Sequence, residues 1–143
     1  RNRCKVLNNQ NKSLSNLYAP ISLGELIDKI TILEIKIEHM TGEKLKNVEK
    51  ELNALKLILK NENIIIDEKT IVRLRKVNKK LWDIEDQIRV KENNQIFDSE
   101  FIKLARSVYQ ENDKRAFIKK EINKFYGSEF IEEKSYKNYS VEK

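Results

Sequence analysis

Residues 23–40 of the 143-residue chain read LGELIDKITILEIKIEHM. Large apolar residues recur in this stretch at alternating steps of three and four, which is the spacing of one apolar stripe on an α-helix. The stripe and the apolar residues beside it are Leu23, Leu26, Ile30, Leu33, Ile37 and Met40, with Ile27, Ile32 and Ile35. A helix that is apolar over so wide a face is enclosed by other helices. We therefore expect this helix to be the most buried one of an all-α protein.

Capping residues and apolar stripes predict three further helices. Ser22 and Glu25 have the spacing of a capping box at the start of the first helix. Leucine and valine at helical spacing predict the second helix over about residues 43–60. Asp67 and Asp98 are suitable N-cap residues for a third and a fourth helix.

The connections between these helices are short, which favours antiparallel neighbours. The predicted fold is an all-α antiparallel helical bundle of two helical hairpins, of which the second is longer. At 1.5 Å per residue, the first two helices are each about 27 Å long and the last two about 40 Å. The long hairpin then extends past the short one and exposes apolar surface. We predict that a second copy covers this surface by coiled-coil packing, so that the protein is a homo-oligomer.

Composition and charge divide the chain into three parts. Residues 1–20 carry four cations and no anion, which predicts a flexible basic N-terminal arm. Residues 21–127 form the predicted helical bundle domain, and residues 128–143 form a polar C-terminal tail. The net charge of +6 is spread unevenly: residues 1–20 contribute +4 and residues 101–143 contribute +3, whereas residues 21–100 contribute −1 and are nearly neutral. For that reason a high isoelectric point is a weak argument for nucleic-acid binding.

Some residue types and patterns are scarce in this sequence, and their scarcity disfavours several classes of protein. Cys4 is the single cysteine and His39 the single histidine, so neither an intramolecular disulfide nor a thiolate–imidazole zinc site can form. No stretch approaches the roughly 20 apolar residues of a membrane span. The first residues lack the apolar core of a secretory signal, and the cytoplasm is the predicted location. No cofactor is predicted.

The fourth helix contains an irregularity that predicts a site. Its apolar stripe, taken as its buried side, consists of Phe101, Leu104, Val108, Ile118, Ile122 and Phe125. Between residues 108 and 118 the stripe is interrupted by Glu111, Asn112 and Arg115, and Tyr109 and Asp113 flank the gap. Buried polar groups without partners cost several kcal/mol, so these side chains either have polar neighbours or face a wet cleft.

Antiparallel pairing of the third and fourth helices supplies polar neighbours at the same height. The predicted register places Asn78 opposite Asn112 and Trp82 opposite Val108. The candidate ligand-binding residues are Asn78, Trp82, Glu85, Arg89, Arg106, Tyr109, Asn112, Asp113 and Arg115. One interpretation is an interhelical network that fixes the register of the hairpin. The other is a pocket for a small anionic ligand, with Trp82 as a stacking wall.

Two other classes of function stay open at this level. Glu25, Asp28, Glu34 and Glu38 could bind magnesium in a metal-dependent all-α enzyme acting on a nucleotide or sugar nucleotide, although solvated helix surface explains them as well. Nucleic-acid binding is suggested by the basic run over residues 73–80, but its cations spread over two faces. Such binding requires the cations of the third helix to share a face with those of the fourth. No catalytic residue is identified, and the sequence leaves open whether the protein is an enzyme.

Three segments resemble a bacterial family of small all-helical domains of unknown function. They are ISLGELIDKITILEIKIEHM (21–40), VNKKLWDIEDQIRVKE (77–92) and FIKLARSVYQENDKRAFIKKEIN (101–123). The resemblance covers about residues 20–136, and the closing GSEFIEEKSY implies that the tail is ordered. Because the family is sometimes found near cell-surface glycan genes, the resemblance implies a link to surface-polysaccharide metabolism. It implies no catalytic residues. The predicted function is a helical binding or interaction module with a polar ligand site.

Overall fold

The computed structural model describes residues 16–140, which contain four α-helices and no strand. These are α1 (Leu23–His39), α2 (Gly42–Asn61), α3 (Glu68–Asn93) and α4 (Ser99–Phe125). The predicted all-α class is confirmed. Within the same residues, no helix combines the length and the apolar run that are needed to cross a bilayer. Residues 1–15 of the predicted N-terminal arm lie outside the described residues, and residues 16–20 are exposed.

The predicted capping residues begin three of the helices. The Ser22 hydroxyl accepts from the Glu25 amide at 3.2 Å, and Asp98 accepts from the Phe101 amide at 3.0 Å. Asp67 caps α3 in the same way. At the end of α4, Gly127 has a φ of +67°, which glycine adopts without steric cost. The helix boundaries are therefore set by local signals that the sequence displays.

Helix α1 lies at the centre of the packing, since it contacts α2, α3 and α4. One apolar cluster joins it to α2 and consists of Leu26, Ile30, Leu33, Val48 and Leu52. A second cluster joins it to α3 and α4 and consists of Ile27, Ile66, Leu74, Val77, Leu81, Ile118 and Ile122. Because α1 supplies both clusters, it has more buried residues than any other described helix, as predicted. The division into two antiparallel hairpins stays a prediction.

The buried side of α4 differs from the predicted one. Leu104, Ile118 and Ile122 are buried as expected, but the side chain of Phe125 is 82% exposed. Polar residues of α4 are buried instead, namely Glu111, Lys119 and Asn123. The face towards α1 is centred between Ile122 and Asn123, and a turn of about 100° per residue carries Phe125 away from it. Polar residues next to the stripe thus share the interior with it.

The C-terminal tail, described to residue 140, runs back along α4 without helix or strand. Lys120 pairs with Glu133 at 3.1 Å, and the Tyr139 hydroxyl donates to Asp113 at 2.7 Å. This hydrogen bond to an anionic carboxylate is the main reason why the pKa of Tyr139 is raised to about 12. Most residues of the tail are exposed. The tail is therefore attached by polar contacts and contributes little to the core.

Candidate functional site

A cavity of about 420 Å³ lies between α3 and α4, with Ile32 of α1 at its edge. Six of the nine predicted site residues line it: Asn78, Trp82, Glu85, Arg89, Asn112 and Arg115. On α3 these residues are spaced four, three and four apart, which keeps them on one face of the helix. Leu81 and Val108 supply apolar wall. Residues of both polar stripes thus line one cavity.

Asn78 is held in place by α1, and this fixes what it offers to the cavity. Its Nδ2 donates to Asp28 Oδ1 at 2.8 Å and to Thr31 Oγ1 at 2.9 Å. All three residues are buried. Since the amide nitrogen has only two hydrogens, both donors are used on the α1 side. The Oδ1 atom of Asn78 is therefore left to accept from the cavity side.

Arg115 occupies that position and is the main cation of the cavity. Its Nη1 donates to Asn78 Oδ1 at 3.3 Å, and its Nη2 donates to Asn112 Oδ1 at 2.7 Å. Both acceptors are neutral amides. Among residues 16–140, no carboxylate oxygen lies within 4 Å of the Arg115 guanidinium. The side chain is only half-exposed, so its charge is partly withdrawn from water without a negative partner.

The opposite side of the cavity combines an aromatic ring with a balanced ion pair. Trp82 stacks on His39 with the ring centroids 4.8 Å apart and an interplanar angle of 16°. His39, which ends α1, therefore ties that helix to the cavity wall. Arg89 pairs with Glu85 at 3.2 Å, so these two charges offset each other. Arg115 is consequently the cation of this cavity that has no carboxylate oxygen within 4 Å among residues 16–140.

Three predicted residues are not brought to this cavity. Arg106 is exposed and does not line it, and Tyr109 and Asp113 face the tail. There the ring of Tyr109 meets that of Tyr139 edge-on at 4.9 Å. Tyr109 and Asp113 each follow a cavity residue by one position, and one position turns a side chain by about 100° around the helix. Proximity in sequence to the polar residues of α4 therefore did not predict which side chains line the cavity.

The sequence did not predict a second polar group, which is centred on Lys119. This lysine is 7% exposed and lies among three carboxylates. Its Nζ bonds to Glu25, contacts Glu132 at 3.0 Å and lies 3.7 Å from Asp28. Lys119 directly follows an apolar stripe residue, and no feature of the spacing distinguishes it from a surface lysine. Only the tertiary contacts reveal its role.

The carboxylates of α1 considered for magnesium have basic or amide partners. Glu34 pairs with Arg75 and with Lys56, and Glu38 pairs with Lys79 at 3.2 Å. Within residues 16–140, no group of three or more histidine, cysteine or acidic side chains is arranged to hold a metal ion. Glu34 and Glu38 therefore join α1 to α2 and α3, whereas Glu25 and Asp28 contact Lys119 of α4.

The buried carboxylate Glu111 predicts a dependence of stability on acid pH. Burial opposes its ionisation, but hydrogen bonds from Lys80 and Lys114 outweigh burial and hold its pKa below the usual 4.5. A carboxyl group with a lowered folded pKa contributes stability above pH 4.5 that is lost as the pH falls through the folded value. We expect urea unfolding to show that Glu111→Gln is less stable than wild type at pH 7 and that the difference narrows as the pH falls below 4.5.

A matched control for this variant is Glu62→Gln, because Glu62 is exposed and has no ion pair within residues 16–140. It should keep the wild-type dependence on pH. An equal stability difference between wild type and Glu111→Gln at pH 7 and pH 3 would contradict the role assigned to Glu111.

Comparison with known proteins gives one family. The matching family model is described as a family of unknown function (DUF6165), and it covers residues 17–141. No curated protein and no solved structure matches the chain. The matched residues include all four helices, the cavity and most of the tail, in agreement with the predicted resemblance over residues 20–136. The chain therefore belongs to the family of unknown function DUF6165.

Proposed function

We propose that the protein is a helical binding module whose cavity between α3 and α4 holds a small anionic ligand. In this proposal the four helices form two antiparallel hairpins, and the longer one, α3 with α4, carries the site. The single observation that carries the proposal is the environment of Arg115. It is a half-buried cation at a cavity, it is oriented by two neutral amides, and no carboxylate oxygen lies within 4 Å of it among the described residues.

The energetics of charge support this assignment. A partly desolvated guanidinium loses hydration that an ion pair normally replaces. Asn78 and Asn112 use two of its five N–H donors, so further donors stay available. Phosphate and carboxylate oxygens accept such donors in pairs, with stronger bonds than neutral acceptors form. An anionic ligand would therefore complete the site, whereas a neutral ligand would leave the charge uncompensated.

The rest of the cavity favours a ligand that carries hydroxyl groups beside the anion. Glu85 and Asp86 present carboxylate acceptors, and Trp82 presents an aromatic surface. A sugar phosphate or sugar nucleotide has this combination of groups. This class of ligand also fits the link to surface-polysaccharide metabolism that the family resemblance implies. Sugar phosphates are intracellular metabolites, so the proposal places the protein in the cytoplasm.

The test is calorimetric titration with glucose 1-phosphate, inorganic phosphate and glucose. We expect glucose 1-phosphate to bind more tightly than either fragment. Arg115→Ala should weaken its binding by about tenfold or more, as expected for a lost hydrogen bond to a charged group. Arg106→Ala removes the same charge from the same helix but lies outside the cavity, and it should bind as the wild type does.

Two results would contradict the proposal. One is equal weakening by Arg115→Ala and Arg106→Ala, because a general charge effect would then explain the binding. The other is the absence of binding of both anions together with a large loss of stability in Arg115→Ala. In that case the polar residues of α3 and α4 at this cavity form an interhelical network and do not bind a ligand.

A further inference from the structure

A second cavity, of about 640 Å³, lies on α3 and α4 and shares no lining residue with the first. Lys80 of α3 and Lys114 of α4 line it, together with the aromatic ring of Phe117. Arg73 and Lys76 line it as well. We call it the basic groove. It brings cations of α3 and α4 to one face, which the sequence alone did not predict.

The helix geometry explains how the basic run of α3 is divided. Arg75 and Lys79 turn towards α1, where they pair with Glu34 and Glu38. Arg73, Lys76 and Lys80 turn towards the basic groove. Both faces that the sequence predicted are observed. One pairs with α1, and the other borders the groove between α3 and α4.

Two ammonium groups in the basic groove converge on one buried oxygen. Lys80 Nζ lies 2.8 Å from Glu111 Oε1, and Lys114 Nζ lies 2.9 Å from the same atom. The Glu111 side chain is only 5% exposed, whereas those of the two lysines are 57% and 61% exposed. One negative charge thus holds two positive charges side by side. Each ammonium has three donors, so donors remain that point to solvent.

An exposed aromatic ring lies beside this pair. Phe117 is 62% exposed, although its neighbour Ile118 is buried in the core at 5%. Val77 and Ile118 add apolar wall to the groove. An aromatic face next to paired cations can stack a flat base while the cations bind phosphate oxygens.

We propose that the basic groove binds a nucleoside phosphate, with the base on Phe117 and the phosphates on Lys80 and Lys114. Its volume lies in the range of small-molecule sites, about 300–1,000 Å³, which suits one nucleotide. Arg73 is already paired with Glu121 at 2.9 Å, and Asp113 adds an anion at the rim. These acids interrupt the positive surface and disfavour the longer track that a nucleic-acid strand requires.

The test compares whole and divided ligands by calorimetric titration. We expect ADP to bind more tightly than adenosine, which lacks the phosphates, and than pyrophosphate, which lacks the base. Phe117→Ala should weaken the binding of ADP by about tenfold and leave the binding of pyrophosphate unchanged. Phe125→Ala is the matched control, since Phe125 is an 82% exposed aromatic residue of the same helix outside the groove. Both substitutions lie on the surface and should preserve the helical circular dichroism.

The cation half of the site is tested with Lys114→Gln. This variant should weaken the binding of both ADP and pyrophosphate by about tenfold or more. Lys124→Gln removes the same charge from an exposed position of α4 and should bind as the wild type does. Arg115→Ala should also leave ADP binding unchanged, which separates this proposal from the one made for the first cavity.

Four outcomes would overturn the proposal. Equal affinities for ADP and pyrophosphate would show that no base is recognised. Unchanged ADP binding by Phe117→Ala would remove the stacking surface. Loss of ADP binding in Arg115→Ala with retention in Lys114→Gln would place the nucleotide in the other cavity. Binding of an oligonucleotide without binding of ADP would assign the groove to nucleic acid.

Discussion

The Gly24→Ala variant is expected to be less stable than the wild type by about 3 kcal/mol. Helix propensity alone predicts the opposite change in stability, because alanine in place of glycine inside a helix normally stabilises a protein by up to about 1 kcal/mol. Gly24 lies in the first turn of α1, where that helix meets α4. A Cβ atom there would lie 2.5 Å from the Lys119 carbonyl oxygen and 3.0 Å from Asn123 Oδ1.

The clash is costly because the nearest atom belongs to the backbone of α4. A helix carbonyl cannot move aside as the end of a flexible side chain does, so the two helices must separate. Separation would also strain the hydrogen bond from the Gly24 amide to Asn123 Oδ1, which is 2.6 Å long and buried. An unpaired buried group then adds to the cost of overpacking.

Urea unfolding of Gly24→Ala and Gly42→Ala would measure this effect. At Gly42 a Cβ atom meets nothing within 4 Å, and the residue has a φ of +63°. Gly42→Ala should therefore cost only about 1–2 kcal/mol, which is the strain of that conformation. A Gly24→Ala protein as stable as the wild type would show that α1 and α4 do not approach so closely.

The second large effect is expected for Lys119→Met, with a loss of about 3–5 kcal/mol. Methionine fills much of the same volume, so the loss arises from charge. Removal of the ammonium leaves Asp28 buried without its cation, and it leaves Glu25 and Glu132 facing each other. Breaking a buried ion pair by deleting one partner is costly because the remaining charge stays desolvated.

The neighbouring lysine provides the control for Lys119→Met. Lys120 also pairs with a tail glutamate, Glu133, but both side chains are substantially exposed. Lys120→Met should therefore cost less than about 1 kcal/mol. Adding Glu25→Gln to Lys119→Met should restore part of the stability, since Glu25 has no other cation within 4 Å among residues 16–140 and would otherwise stay uncompensated. Equal losses for Lys119→Met and Lys120→Met would refute the structural role of Lys119.

The pH dependence of this group follows from the same contacts. Burial opposes the charge on Lys119, but hydrogen bonds to Glu25 and Glu132 and the nearby Asp28 outweigh burial and raise its pKa above 10.5. The stability from this raised pKa is fully present below pH 10.5, the unfolded value, and is lost as the pH rises through the folded value. Wild type and Lys119→Met should therefore become more alike in stability at strongly alkaline pH.

Part of the site was predictable because it depends on helix spacing and register. Asn78, Trp82 and Glu85 share a face by helical periodicity, and the short connection aligns them with Asn112 and Arg115. Arg106, Tyr109 and Asp113 lie on the same helix as Asn112 and Arg115 but are not brought to the cavity. The direction in which these side chains point depends on which side of α4 packs against α1. A single sequence does not specify that rotation of α4 about its own axis.

The sequence by itself determined the helices of this protein, because caps, glycines and apolar spacing act over only a few residues. Ser22, Asp67 and Asp98 begin helices by hydrogen bonds to amides three positions ahead. The tertiary structure alone decided which polar groups are buried. Lys119 and Asn123 look like surface residues until α1 packs against them. Burial is a property of the space between helices, and the close contact at Gly24 fixes that space.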